Sequence, residues 1–161
     1  DADITAYMDN WYQTLGVQVV FASGGGIYTS AAEAAAKVGG KLIGVDVDQS
    51  ANINTYGEGM CVTSAMKGLA ETVKHMLSEV VAGNFANYGG KIETLGLVNG
   101  DDPTANYVQL PMETTQWGDG FTQDDYKALV KAMYDGEVTV SNDISAMPAT
   151  TITVNFAGNI K

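Results

Sequence analysis

The stretch from Val17 to Asp46, VQVVFASGGGIYTSAAEAAAKVGGKLIGVD, leaves few folds open to this chain. Val17–Ala22 is a short apolar run with β-branched enrichment, which predicts a strand buried on both faces. Ser23-Gly24-Gly25-Gly26 breaks it, and Glu33 to Lys37 then lie in an alanine-rich run of high helix propensity. Gly39-Gly40 stops that helix. Lys41–Val45 is a second apolar strand, and Asp46 stands where it runs out. Such a β-α-β unit feeds a parallel sheet by a right-handed crossover. Ligands of these sheets bind beyond the carboxyl ends of the strands, where Gly24–Ser30 and Asp46 would both lie.

The remaining composition narrows the class without choosing a function. A chain of 161 residues suits one domain that buries about 70% of its unfolded surface. With 45% hydrophobic and 17% charged residues it is expected to be globular rather than disordered. A net charge of −11, with the eight basic residues dispersed, argues against a nucleic-acid partner, which needs clustered cations. The single cysteine, Cys61, excludes an internal disulfide and any CxxC motif and is expected to be a buried small hydrophobe. No apolar run reaches the ~18 residues that span a bilayer. The chain starts at Asp1 rather than Met, so the missing targeting segment does not fix a compartment.

Along the chain, Asp3 is expected to cap a helix through about Leu15, with Ile4, Tyr7, Met8, Trp11, Tyr12 and Leu15 as its stripe. A helix feeding the first strand suggests that further strands precede this segment in a parent protein. Residues 46–59 read as a polar loop, Met60–Thr63 as a third strand, and Ser64 as the N-cap of a helix to about Ala82. That helix carries Met66, Leu69, Ala70, Val73, Leu77, Val80 and Val81 at helical spacing. It also places Lys67 in the first turn, where a cation is unfavourable. Ile92–Leu97 and Tyr107–Leu110 are expected strands around an Asn99–Pro103 turn. Thr122 and Asp125 form a capping box for a helix striped by Tyr126, Leu129, Val130 and Met133. Glu137–Val140 and Thr150–Phe156 are β-prone, and nothing divides the chain into domains.

Catalytic motifs are scarce. His75 is the only histidine and lies mid-helix, and there is no nucleophile elbow, H-E-x-x-H or phosphate-binding lysine loop. Neither a metal site nor a cofactor is expected. A dinucleotide fold is a distant alternative: Asp46 follows Gly26 by about 20 residues, but Gly24-Gly25-Gly26-Ile27-Tyr28-Thr29 lacks the third glycine of the fingerprint. The same parts fit a sugar or nucleoside. A strand-end carboxylate can accept two hydrogen bonds from a vicinal diol, glycine N–H groups approach a polar ligand closely, Tyr28 offers an aromatic face, and Lys67 can bond a hydroxyl or balance Asp46. Taken singly, each has a plainer account: Asp46 and Asp48 as loop acids, Lys67 as solvated, Tyr28 as a surface aromatic.

Val17–Ala35, Leu42–Gln49 (LIGVDVDQ) and Val62–Leu69 (VTSAMKGL) resemble, in order and spacing, the C-terminal lobe of the basic membrane protein family. These are substrate-binding lipoproteins of ABC transporters, of the purine-nucleoside receptor type. GVD-x-DQ and TS-x-x-K are specific when found together. The resemblance implies a three-layer αβα lobe with a mostly parallel sheet, of the type I periplasmic-binding-protein kind, with residues 1–161 as one lobe of a two-lobed protein. It further implies an extracytoplasmic, lipid-anchored protein whose partners are a nucleoside, a membrane permease and an absent N-terminal lobe. Asp46 then corresponds to the acid that holds the ribose hydroxyls and Lys67 to the lysine reaching the same sugar. Gly24, Gly25 and the following turn, with Gly26 and Tyr28, would line the cleft beside the base. Where the family often has G-G-T-G-N-G, this chain has GGGIYT from Gly24 to Thr29.

Overall fold

In the computed structural model, residues 1–158 are described. The first helix, α1 (Ala2–Asp9), is capped by the Asp1 carboxylate, which accepts from the Asp3 N–H, so the cap lies two residues before the expected one. The helix continues with a widened π turn over Asn10–Thr14. Then follow β1 (Val19–Phe21), a 3-10 turn over Gly25–Ile27, α2 (Tyr28–Ala36) and β2 (Lys41–Asp46). A short helix α3 (Ser50–Ile53) interrupts the expected loop and anchors it with a fully buried Ile53. The chain goes on through β3 (Cys61–Lys67), α4 (Leu69–Val81), β4 (Val108–Gln109) and α5 (Gln123–Tyr134), the last with the expected Thr122–Asp125 capping box.

The four strands form one open sheet in the order β1-β2-β3-β4, parallel except for β4, so the chain is an α/β domain with a mostly parallel sheet. The core lies on one face. Ala31, Ala32, Ala34 and Ala35 of α2 are buried with Met8 and Tyr12, Val20, Leu42, Ile53 and Cys61. Alanine leaves little between helix and sheet, which lets α1 and α2 sit close. Gly40 serves the same purpose, because a methyl group there would meet the Tyr12 ring at 2.5 Å. The Tyr12 hydroxyl donates to the Lys41 carbonyl at 2.7 Å, and burial pushes its phenol up to about 12. On the other face, a groove of about 530 Å³ is lined by Val45, Ala65 and Val108 of the sheet and by Tyr126, Leu129 and Met133 of α5. Helices on both sides of the sheet are compatible with a three-layer αβα lobe.

Several expectations are corrected. β1 is an edge strand in which only Val20 is buried, while Val19 and Phe21 are 42% and 49% exposed. β3 runs on to Lys67, and the expected N-cap Ser64 is a fully buried strand residue. Ladder pairing of Gly44 with Ser64, Val45 with Ala65 and Asp46 with Met66 holds this stretch extended against its helical spacing. Lys67 therefore precedes α4 instead of opening it, and its conflict with the helix dipole disappears. No residue of α4 is buried, so its apolar stripe faces outward. Ile92–Leu97 and the two β-prone tail runs have no ladder partners and stay irregular, with Ile92 fully exposed. β-propensity reports the fit to a pleated, half-buried surface, and these runs meet none.

β4 closes on β3 at Gly68, whose N–H donates to the Tyr107 carbonyl at 2.8 Å. A methyl group at Gly68 would stand 2.5 Å from the Asn106 carbonyl oxygen, and Asn106 is itself fully buried, its side chain holding the Val98 and Asn99 N–H groups. Gly68→Ala is therefore expected to cost about 2 kcal/mol of stability, measured by urea unfolding. An unchanged midpoint would contradict this close backbone approach.

Candidate functional site

Asp46 and Lys67 end adjacent parallel strands, and the register that sets Asp46 opposite Met66 brings the two side chains together. Lys67 Nζ lies 2.6 Å from Asp46 Oδ1, with the lysine side chain 64% and the aspartate side chain 35% exposed. An ion pair this open contributes only about 0–1 kcal/mol to folding, so stability does not account for it. It leaves a carboxylate acceptor and an ammonium donor facing solvent at one spot, a combination that can engage neighbouring hydroxyls.

The backbone at Asp46 is unusual. Its φ is +69°, the only positive value among the described non-glycine residues. The Val47 N–H donates to the Val45 carbonyl at 2.8 Å, closing a three-residue turn with Asp46 at its centre. This conformation costs about 1 kcal/mol in a residue with a side chain, although aspartate tolerates it better than most. Strain of this kind concentrates at ligand sites, where geometry is held at the expense of stability.

The loop behind Asp46 is fixed from both sides. Asp48 Oδ1 accepts from the Ser50 N–H at 2.9 Å, and Asp48 Oδ2 accepts from the Thr114 hydroxyl at 2.7 Å. Thr115 bonds Thr63 at 2.7 Å, and Gln116 Nε2 donates to the Gly59 and Cys61 carbonyls at 2.7 Å. Residues 114–116 thus strap the β2–β3 connection to β3. Burial alone would raise the Asp48 carboxyl, but the Ser50 and Thr114 hydrogen bonds outweigh it and hold the group below the usual range.

Of the sequence-derived residues, the structure joins Asp46 to Lys67 directly. The glycine turn is tied to the same strand end through Gln49: Gln49 Nε2 donates to the Gly25 carbonyl at 3.4 Å, while Oε1 accepts from the Val45 N–H at 3.0 Å. Gly24 leads into the turn, Gly25 has φ +39°, and a methyl group at Gly25 or Gly26 would meet nothing within 4 Å, so the turn opens to free space. Tyr28 opens α2, where it is half-buried and packs against the core cluster. Sequence reasoning overlooked Gln49 as a site residue, along with Gly44, Ser64 and Thr114. The first three lie within or beside the GVD-x-DQ and TS-x-x-K segments, whereas Thr114 has no signal in its neighbourhood. Cys61 is buried as expected, and burial pushes its thiol up. Half-buried His75 stacks edge-on against Tyr88 at 5.6 Å between ring centroids. Among the described residues, no cluster of His, Cys, Asp and Glu is arranged to hold a metal, and no helix is long and apolar enough to cross a membrane. The chain matches no family model and no curated protein.

Two outcomes test this geometry. Asp46→Gly removes both the strain and an exposed ion pair, so the variant is expected to be as stable as the wild type or more so, by up to about 1 kcal/mol in urea unfolding. A loss beyond about 1 kcal/mol would contradict the strain. For Asp48, a depressed folded-state pKa means that its contribution is present above the unfolded value of about 4 and is lost as pH falls through the lower folded value. The stability gap between wild type and Asp48→Ala should therefore narrow from about pH 6 to pH 3. A gap independent of pH would contradict the Ser50 and Thr114 bonding.

Proposed function

We propose that the chain is one lobe of an extracytoplasmic solute-binding component of an ABC transporter and that it captures purine nucleosides. The observation that carries the reading is the 2.6 Å pairing of Asp46 with Lys67 at neighbouring strand ends, with Asp46 held in a strained turn. The sequence likeness of GVDVDQ and TSAMK to the nucleoside-receptor family supports the same two residues. Asp46 accepts from the ribose 2′- and 3′-hydroxyls, and Lys67 donates to a sugar oxygen. The turn Gly24-Gly25-Gly26 lines the cleft beside the base, with the exposed part of Tyr28 at its rim.

The mechanism is capture without turnover, and no cofactor takes part. A second lobe closes over the ligand about a hinge, ligand contacts to both faces favour the closed state, and a membrane permease receives that state. The parent protein is held at the membrane by a lipid anchor. A vicinal diol is also a feature of free sugars, so a lobe for another small polar ligand is the alternative that the same pair would serve. A thermal-shift panel of nucleosides and sugars separates the two.

Half of a cleft supplies half of the contacts. Calorimetry with guanosine, inosine and adenosine is expected to show weak or undetectable binding to this chain and tight binding to the two-lobed protein. Tight binding by the lobe alone would contradict the proposal. In the two-lobed protein, Asp46→Ala is expected to abolish discrimination between ribosides and free bases, and unchanged discrimination would remove Asp46 from the diol role.

A further inference from the structure

We propose that Gln49 is a positioning residue that sets the height of the glycine turn relative to Asp46. The inference rests on taking this end of the sheet as the ligand site. Gln49 is 7% exposed, and it touches three parts of the site at once. Its side-chain oxygen accepts from the N–H of Val45, the residue before Asp46, and its side-chain nitrogen donates to the Gly25 carbonyl. Its own backbone N–H donates to Ser64 Oγ at 3.1 Å, three residues before Lys67. One side-chain amide therefore spans the gap between the glycine turn after β1 and the end of β2, two of the three strand ends that carry the candidate ligand contacts.

The surroundings are shaped for this amide. A methyl group at Gly44 would stand 2.6 Å from Ser64 Oγ and 2.9 Å from both Cβ and Oε1 of Gln49. Only glycine leaves room at this position. The Gly24–Ile27 turn has little else to fix its height: it opens to free space above Gly25 and Gly26, and its backbone bonds are local, Gly24 N–H to Ala22 and Ile27 N–H to Gly24. The bond from Gln49 to Gly25 ties it to the strand that presents Asp46. Without that tie, the turn and the acid can move independently, and a ligand touching both would have to order them on binding.

The test is amide hydrogen exchange on this chain without ligand, so it is decided even where no nucleoside binds. Gly24 and Ile27 report the turn, and the Leu42 N–H, bonded to the Met60 carbonyl at 2.9 Å in the core, reports global opening. Gln49→Glu keeps the acceptor for Val45 and, when ionised, removes the donor to Gly25. Gln49→Met keeps the volume without charge and decides the matter where the glutamate variant fails to fold. Exchange at Gly24 and Ile27 is expected to rise about tenfold relative to Leu42 in either variant. Thr122→Ala, which removes the cap of α5 and leaves both Gln49 side-chain bonds in place, should leave that ratio unchanged. A ratio equal to wild type in the Gln49 variants would overturn the proposal, because a merely structural glutamine would loosen turn and core by the same factor.

Discussion

A side chain at position 44 would have to occupy the space that Ser64 Oγ and Gln49 Oε1 already fill. From that contact the rest of the site follows. Ser64 faces Gly44 across the parallel ladder and bonds the Gln49 backbone, which fixes how far β2 and β3 slide past each other. Slippage by one residue would take Ser64 away from Gly44 and Gln49 and reset the offset between Asp46 and Lys67 at the strand ends. The extended conformation of TSAMK, which its helical spacing disfavours, is the local consequence of this packing. Tertiary pairing prevails over a local helical pattern here.

The opposite face of the domain is built more loosely. The groove beneath α5 is lined mainly by apolar side chains, α4 carries Leu69, Val73 and Leu77 outward, and β1 exposes Val19 and Phe21. The well-packed half, with the alanine-rich α2 and the fully buried Leu42, lies behind the candidate site. The well-packed part of the molecule thus backs the candidate site, an arrangement that suits preorganised binding.

Much of this was legible in the residues. The β-α-β unit, the capping box at Thr122 and the α/β class follow from apolar periodicity and turn chemistry, whereas the nearness of Asp46 to Lys67 was implied by the family resemblance. What was missed depends on contacts distant in sequence. The extent of β3 is decided by its ladder with β2, the exposure of β1 by its place at the sheet edge, and the holding of Asp48 by Thr114, 66 residues away. Gln49 was visible within GVDVDQ, but its importance rests on where Gly25 comes to lie, which no local pattern encodes.

Amide chemical shifts of the two-lobed protein, titrated with guanosine and separately with guanine, test whether Asp46 and Lys67 form a ribose-recognising end of a ligand cleft. Guanosine is expected to move the amides of Asp46, Val47, Lys67 and Gly68 together with those of the Gly24–Ile27 turn, and guanine to leave the first four in place. Shifts centred instead on the apolar groove around Leu110 and Met133, or equal shifts of Asp46 and Lys67 with both ligands, would contradict it.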